Sequence, residues 1–338
     1  MKIVVDGFGG DNAPAAVVAG CALALERDKN IGIVITGKED ILKEEFAKIQ
    51  NVDMGRIEFV DAPDVISGNE VPTDAIRSKP NSSLVKAITR AKEADCAGLV
   101  SAGSTGAVLM GATVFLGRIA GISRPALAPI LPTSIQNKKV ILCDCGANSE
   151  CKPQFLVQFA QMAAAYSKTI FGVENPRVGL LSNGTEDKKG IPLTLEAFPL
   201  IQEAVPNFAG NIEGRDIMTG ELDVVVADGF SGNIALKSLE GTALTVLGKL
   251  KESIEGGGLR AKIGYLFLKK SLKKMKKELD YNESGGSAFL GVIKPVIKSH
   301  GSSKAKVICN SIFQVKEMHE KDTVGQLAKV LASSTHNA

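Results

Sequence analysis

The chain's 338 residues carry 40 Lys and Arg against 37 Asp and Glu, a formal net charge of +3, which is too balanced for a dedicated nucleic-acid binder. Apolar residues at 44% and charged residues at 23% exclude a disordered chain and leave apolar mass for one large domain or two smaller ones. Trp is absent and aromatics amount to 5%, against stacking platforms for bases or sugars, whereas 35 glycines, about a tenth of the chain against the usual ~7%, stand out.

The opening Met1–Pro14 segment carries Asp6 and no basic stretch leading into a long apolar run, so no secretory signal is expected. Short β-branched runs then alternate with helical patterns, which predicts a mostly parallel sheet covered by helices. Strands are predicted at Lys2–Asp6, Gly32–Thr36, Ile57–Asp61, Ala97–Ser101, Lys139–Asp144, Arg177–Ser182 and Leu222–Asp228. Helices are predicted at Ala13–Arg27, Asp40–Lys48, Ser82–Ala94, Thr105–Arg118, Pro153–Phe171, Pro192–Ala204 and Gly232–Ile254. The uncharged stretch Cys96–Gly117 is long enough to span a bilayer, but its Gly, Ser and Thr suit a strand, a loop and a helix instead. The six cysteines sit mostly in apolar runs and read as reduced core residues; Cys143-Asp144-Cys145 with Cys151 lacks metal-site spacing and a nearby His.

Four loops share one design. Gly9-Gly10-Asp11-Asn12-Ala13-Pro14, Ser101–Gly106, Ser182-Asn183-Gly184-Thr185 and Ala227–Asn233 each follow a predicted strand and precede a helix. In a parallel sheet such loops emerge at the carboxyl ends of the strands, where open α/β folds bind ligands. Glycine lets backbone approach a ligand, and a helix start offers unpaired N–H groups and partial positive charge. The expectation is an anion site, most simply for phosphate, built from Gly10, Asp11, Ser104, Thr105, Gly106, Asn183, Gly184, Thr185, Gly232 and Asn233. Lys189 and Lys237 follow two of these loops and are the candidate phosphate cations. Arg118, at the far end of a predicted helix roughly 20 Å long, is placed to serve another surface.

Beyond Ala235 the pattern changes. One helical run reaches Ile254, three glycines at 256–258 break it, and a second runs from Leu259 to Leu279, which predicts an antiparallel hairpin within 232–279. Leu268, Leu272, Met275 and Leu279 share a face, Lys269, Lys270, Lys273, Lys274, Lys276 and Lys277 surround it, and Ile263–Leu268 is apolar all round. A basic amphipathic helix beside an apolar turn has the composition of a membrane-surface contact, with Ile263, Leu266, Phe267, Leu268, Lys269 and Lys270 as contact residues; dimer packing is the competing use.

Of His300, His319 and His336, the last two fall in a polar C-terminal tail and are expected at the surface, while His300 follows the apolar run Val292–Ile297 in another strand-end loop. There an imidazole can donate to phosphate or protonate a leaving group. Neither a Gly-x-Ser-x-Gly elbow nor a P-loop is present, and Gly7-Phe8-Gly9-Gly10 is a weak dinucleotide signal with its third glycine misplaced. A metal- and NAD-dependent 2-hydroxy-acid dehydrogenase would need a Tyr–Lys pair, yet Tyr166, Tyr265 and Tyr281 all lie outside strand-end loops. A non-enzymatic membrane scaffold is the third reading.

The segments Val5–Asp11, Ser101–Ala107, Gly117–Leu127, Asp144–Asn148, Asn183–Gly190, Gly210–Asp216, Asp223–Asn233 and His300–Ser303, in this order, make the chain closely resemble the phosphate acyltransferases of bacterial phospholipid synthesis. Ser104 and Ser182 stand where that family commonly has Asn and reach less far. The resemblance implies a three-layer α/β/α sandwich with a mostly parallel sheet, similar to the isocitrate/isopropylmalate dehydrogenase-like fold, with a protruding helical hairpin. It places 1–332 in one catalytic unit and 333–338 in a flexible tail. It further implies formation of acyl-phosphate from an acyl carrier protein thioester and inorganic phosphate, without a cofactor or metal, by a cytoplasmic homodimer at the inner membrane face that passes its product to the membrane-bound glycerol-3-phosphate acyltransferase. Direct attack by bound phosphate needs positioning and charge stabilisation, with oxyanion donors near Gly106 or Gly232 and proton movement through His300 or Asp228.

Overall fold

The computed structural model describes residues 1–279 and 285–335. The chain opens with β1 (Lys2–Asp6), α1 (Ala15–Arg27), β2 (Gly32–Gly37), α2 (Glu39–Ala47), β3 (Ile57–Asp61), α3 (Pro72–Ser78), α4 (Ser83–Ala91), β4 (Cys96–Ser101) and α5 (Thr105–Gly111). It continues through β5 (Ala126–Ala128), β6 (Ile130–Pro132), β7 (Lys139–Cys143), α6 (Pro153–Phe171), β8 (Val178–Leu181), α7 (Pro192–Ala204), β9 (Phe208–Ile212) and β10 (Val224–Val226). The hairpin of α8 (Gly229–Gly256) and α9 (Gly258–Leu279) follows, then β11 (Ser287–Leu290), β12 (Val296–Lys298), α10 (Ala305–Glu320) and α11 (Thr323–Thr335).

The strands divide between two sheets, ordered β3-β2-β1-β4-β12-β11-β5 and β6-β7-β10-β8-β9. Pairing is parallel except where β11 meets β12 and β5, and where β6 meets β7. The mostly parallel α/β architecture expected from the sequence is therefore present. Strand residues alternate between two covered faces, so β1 reads as a continuous apolar run. Ile3 and Val5 pack with Val18 and Leu25 of α1 and Ile308 and Ile312 of α10, whereas Val4 packs with Val85 and Ile88 of α4 and Val108 of α5. Helices thus lie on both sides of the sheet. The largest buried cluster also takes in Ile141, Leu180 and Val226 of the second sheet, with Phe159 and Tyr166 of α6.

Several boundaries differ from expectation. The predicted helix from Thr105 does not reach Arg118: α5 passes into a wider π turn over Ala112–Leu116, and Gly117, at φ +108°, ends it. Arg118 lies beyond, its guanidinium donating to the Ser123 carbonyl. The helix expected from Gly232 starts at Gly229. The region holding His319 is no tail: α10 buries Ile308, Ile312, Val315 and Met318 and leaves His319 exposed on the opposite face. The backbone is helical to Thr335. Tyr281, His336 and residues 337–338 lie outside the described residues, as do the side chains of Lys276, Leu279 and 333–335.

Candidate active site

Three adjacent parallel strands, β1, β4 and β12, deliver their following loops to one edge of the first sheet. The loops are locked together by backbone. Gly10 adopts φ +96°, and a Cβ there would lie 2.8 Å from the Gly301 carbonyl and 2.9 Å from Ala102 Cβ, an approach only glycine permits. The Asp11 N–H donates to the Gly301 carbonyl at 2.8 Å, and Asn12 Nδ2 donates to the Ser302 carbonyl at 2.9 Å. Beneath them, buried Asp6 accepts from Ser101 Oγ at 2.8 Å; burial pushes its carboxyl above the usual range.

The second sheet contributes from β7 and β10. Asp144, directly after β7, accepts from Leu127 N–H at 2.8 Å, Asn148 N–H at 2.7 Å and Asn148 Nδ2 at 3.0 Å. Burial raises its carboxyl to about 6. The first turn of α8 rests on this knot, since a Cβ on Gly232 would sit 1.9 Å from the Asp144 carbonyl oxygen. Asp228 caps α8, accepting from Phe230 N–H at 3.0 Å and Ser231 N–H at 2.9 Å.

Between these two sets of loops lies a cavity of about 580 Å³. Gly10, Asp11, Ser104, Thr105, Asn233, Lys237 and His300 from the sequence expectations line it, together with the apolar Val65, Ile66, Leu127, Ile130 and Leu236. The N–H groups of Ser104, Thr105 and Gly106 have no protein acceptor among the described residues. Lys237 Nζ is paired with Glu240 Oε2 at 2.7 Å, also on the cavity wall. His300 Nδ1 accepts from the Ser302 N–H at 3.2 Å and lies 2.8 Å from Ser302 Oγ. Burial, Lys237 and Lys298 all push the imidazole below its ordinary value, so at neutral pH it is the neutral tautomer with Nε2–H as donor.

Other expected residues lie elsewhere. Gly106 packs against Pro72, its would-be Cβ 2.7 Å from Pro72 Cγ. The Gly232 N–H is taken by the Asp228 carbonyl at 2.9 Å, and the Asp228 carboxylate is occupied by its two cap bonds and does not line the cavity. Asn183, Gly184, Thr185 and Lys189 sit after β8, one strand beyond β10 on the same edge. That loop is held to β9 by Asn211 Nδ2, which donates to the Glu186 carbonyl at 2.8 Å and the Lys189 carbonyl at 3.2 Å. Sequence reading missed Lys298. It closes a buried strand, is 9% exposed and lines the cavity, and burial with the nearby Lys237 lowers its ammonium to about 8. The available signal was a lysine ending an apolar run immediately before the His300 loop.

The family model described as "Fatty acid synthesis protein" matches residues 1–326. A phosphate acyltransferase of Clostridium perfringens (strain SM101) is 47% identical over 336 residues, spanning 99% of this chain and 98% of that protein. One from Clostridium novyi is 48% identical over 327 residues, spanning 97% of each. The chain belongs to the phosphate acyltransferase family. It is accordingly an acyl-transferring enzyme. Among solved structures, a phosphotransacetylase from Streptococcus pyogenes superposes with TM-score 0.61 at 18% identity, covering 96% of this chain and 94% of that one. A 4-hydroxythreonine-4-phosphate dehydrogenase from Klebsiella pneumoniae superposes with TM-score 0.52 at 14% identity, covering 94% and 99%. These two share the fold; the sequence kinship favours acyl transfer over the dehydrogenase reading.

Proposed function

We propose that this phosphate acyltransferase moves a fatty acyl group from an acyl carrier protein thioester to inorganic phosphate, giving acyl-phosphate for phospholipid synthesis. One observation carries the reading: Ser104 and Thr105, whose N–H groups have no protein acceptor among the described residues, line one cavity with Lys237 and Lys298 and with the apolar Val65, Ile66, Leu127 and Ile130. Amides and ammonium groups suit a phosphate dianion, and the apolar lining residues suit an acyl chain. Lys189 and Asn183–Thr185, one loop further along the same edge, do not line the cavity, so the phosphate contact rests on Lys237 and Lys298.

A phosphate oxygen attacks the thioester carbonyl carbon, the C–S bond breaks, and sulfur leaves with the electron pair. Backbone donors aimed at the developing oxyanion contribute about 3 kcal/mol each when well placed. The neutral Nε2–H of His300 is one further donor for phosphate or carbonyl oxygen. Cys145 is the thiol of the cavity lining, but burial holds it well above the ordinary thiol range and its Sγ faces the Gly232 carbonyl at 3.6 Å. A protonated thiol is a poor nucleophile, which favours direct attack over an acyl-enzyme. Phosphate-dependent release of free thiol from acyl carrier protein thioester, followed without nucleotide, tests the reading. Release that ignores phosphate, or a stable acyl mass on the enzyme without phosphate, overturns it.

Among the described residues no helix is long and apolar enough to cross a membrane. The hairpin nonetheless presents Leu266, Phe267 and Leu268 at 67%, 83% and 56% exposure, beside exposed Ile263, Lys269 and Lys270. Leu268 shares a face with Leu272 and Met275 and is exposed, while those two are half-buried. We assign this stretch of α9 to the inner membrane surface, with Leu244 and Val246 of α8 left for a second copy in a homodimer. An amphiphilic acyl-phosphate then has a short path to a membrane-bound glycerol-3-phosphate acyltransferase, and the lysine face is also available to an acidic carrier protein. Changing Leu266, Phe267 and Leu268 together to Ser is expected to lower binding to anionic liposomes at least tenfold in a flotation assay while soluble turnover stays within twofold. Unchanged flotation removes the membrane assignment.

A further inference from the structure

The reaction leaves a thiolate that must take up a proton, and the residues around the cavity are unequal to that task. His300 is neutral, and its Nδ1 is an acceptor for the Ser302 N–H. The Asp228 carboxylate is consumed in capping α8. Lys237 is already ion-paired with Glu240. Cys145 is a buried thiol whose proton is firmly held.

Lys298 differs from all of them. It ends β12 between Ser101 of β4 and Ser287 of β11, its uncharged register partners. Its Nζ donates to the Ser299 carbonyl and makes no ion pair among the described residues. An ammonium has three donors, so two N–H bonds of a nearly buried cation lack a protein acceptor beside the cavity. We propose that Lys298 is the general acid that protonates the departing carrier thiolate, an inference resting on the thioester-plus-phosphate reading above. As the C–S bond breaks, one Nζ–H bond breaks and an S–H bond forms; the neutral amine then regains its proton from solvent.

The charged groups acting on this ammonium are Lys237 of α8, which favours loss of the proton, and Asp11 after β1, which favours its retention; Glu240 and His300 share the cavity wall. An acidity of about 8 matches an alkyl thiol near ~8.5, the condition under which proton transfer to sulfur is most effective. The protonated form is the active one, so this contribution is present below about 8 and is lost as pH rises through that value.

Lys298→Arg keeps the charge but not a transferable proton. With an acyl alkyl thioester, kcat should fall about 10²- to 10⁴-fold, while the KM for phosphate stays within threefold. With a thioester of an acidic aryl thiol, whose thiolate leaves unprotonated, the variant should come within about fivefold of the wild type. Lys298→Met should show the same alkyl-to-aryl contrast superimposed on weaker phosphate binding, and gives the comparison if the arginine variant does not fold. The alkaline limb of the wild-type profile near pH 8 should vanish in Lys298→Arg. Equal losses on both thioesters, or full alkyl activity in either variant, overturns the assignment. Phosphate-independent thiol release by the wild type would instead overturn the underlying reaction, and the two failures are distinct.

Discussion

Lys237→Met should lower kcat/KM for phosphate-dependent thiol release by about 10²- to 10³-fold, roughly 3–4 kcal/mol of transition-state stabilisation. Lys237 reaches the cavity from α8 and is held there by Glu240 at 2.7 Å. Incoming phosphate must share that ammonium with a carboxylate, so ground-state affinity is restrained while the cation stays positioned. Most of the loss should therefore appear with phosphate as the varied substrate, as a raised KM together with a lower kcat. Glu240→Gln removes the competing charge and should lower the phosphate KM severalfold. Initial rates over a phosphate series for both variants decide the matter; a Lys237→Met enzyme with wild-type phosphate kinetics would show that the cation faces something else.

The parts of this arrangement that the sequence revealed are those written in local pattern. The apolar runs of β1, β2, β4 and β7 announce strands buried on both faces, and the glycines at 9–10, 103–106 and 229–232 announce tight turns at their carboxyl ends. Short elements were invisible because they hold their shape only through tertiary pairing: β5 and β6 are three residues each, separated by Pro129, and exist because β11 and β7 lie alongside. The division into two sheets was equally hidden, since β10 and β12 read alike as apolar runs and only long-range pairing assigns them to different sheets. Within the site, grouping by loop type placed Asp228 and Gly232 with the ligand-facing residues, whereas packing turned one into a helix cap and the other into a contact with Asp144. Lys298 escaped notice for the opposite reason: a lysine at a strand end usually reaches solvent, and only the neighbouring loops bury this one.

The Asp144 contact has a large mechanical consequence. Gly232→Ala brings a methyl group to within 1.9 Å of the Asp144 carbonyl oxygen, closer than any non-bonded pair tolerates. That carbonyl cannot retreat, because the Asp144 side chain is fixed by Leu127 and Asn148 at 2.7–3.0 Å. The start of α8 must move instead, and overpacking of this kind costs about 1–3 kcal/mol, which the ~1 kcal/mol helix preference of Ala over Gly offsets only in part. The same shift carries Asn233, Lys237 and Glu240 away from the cavity, and a displacement of about 1 Å at positioning residues can cost ~10²-fold in rate. Activity should therefore fall much further than thermal stability in this variant. Gly241→Ala, in the same helix with nothing within 4 Å of its new methyl group, supplies the control: a gain of roughly 0.5–1 kcal/mol and unchanged turnover. A Gly232→Ala enzyme with wild-type Tm and kcat would mean that α8 does not depend on Asp144 for its placement, and that Lys237 is not positioned from this contact.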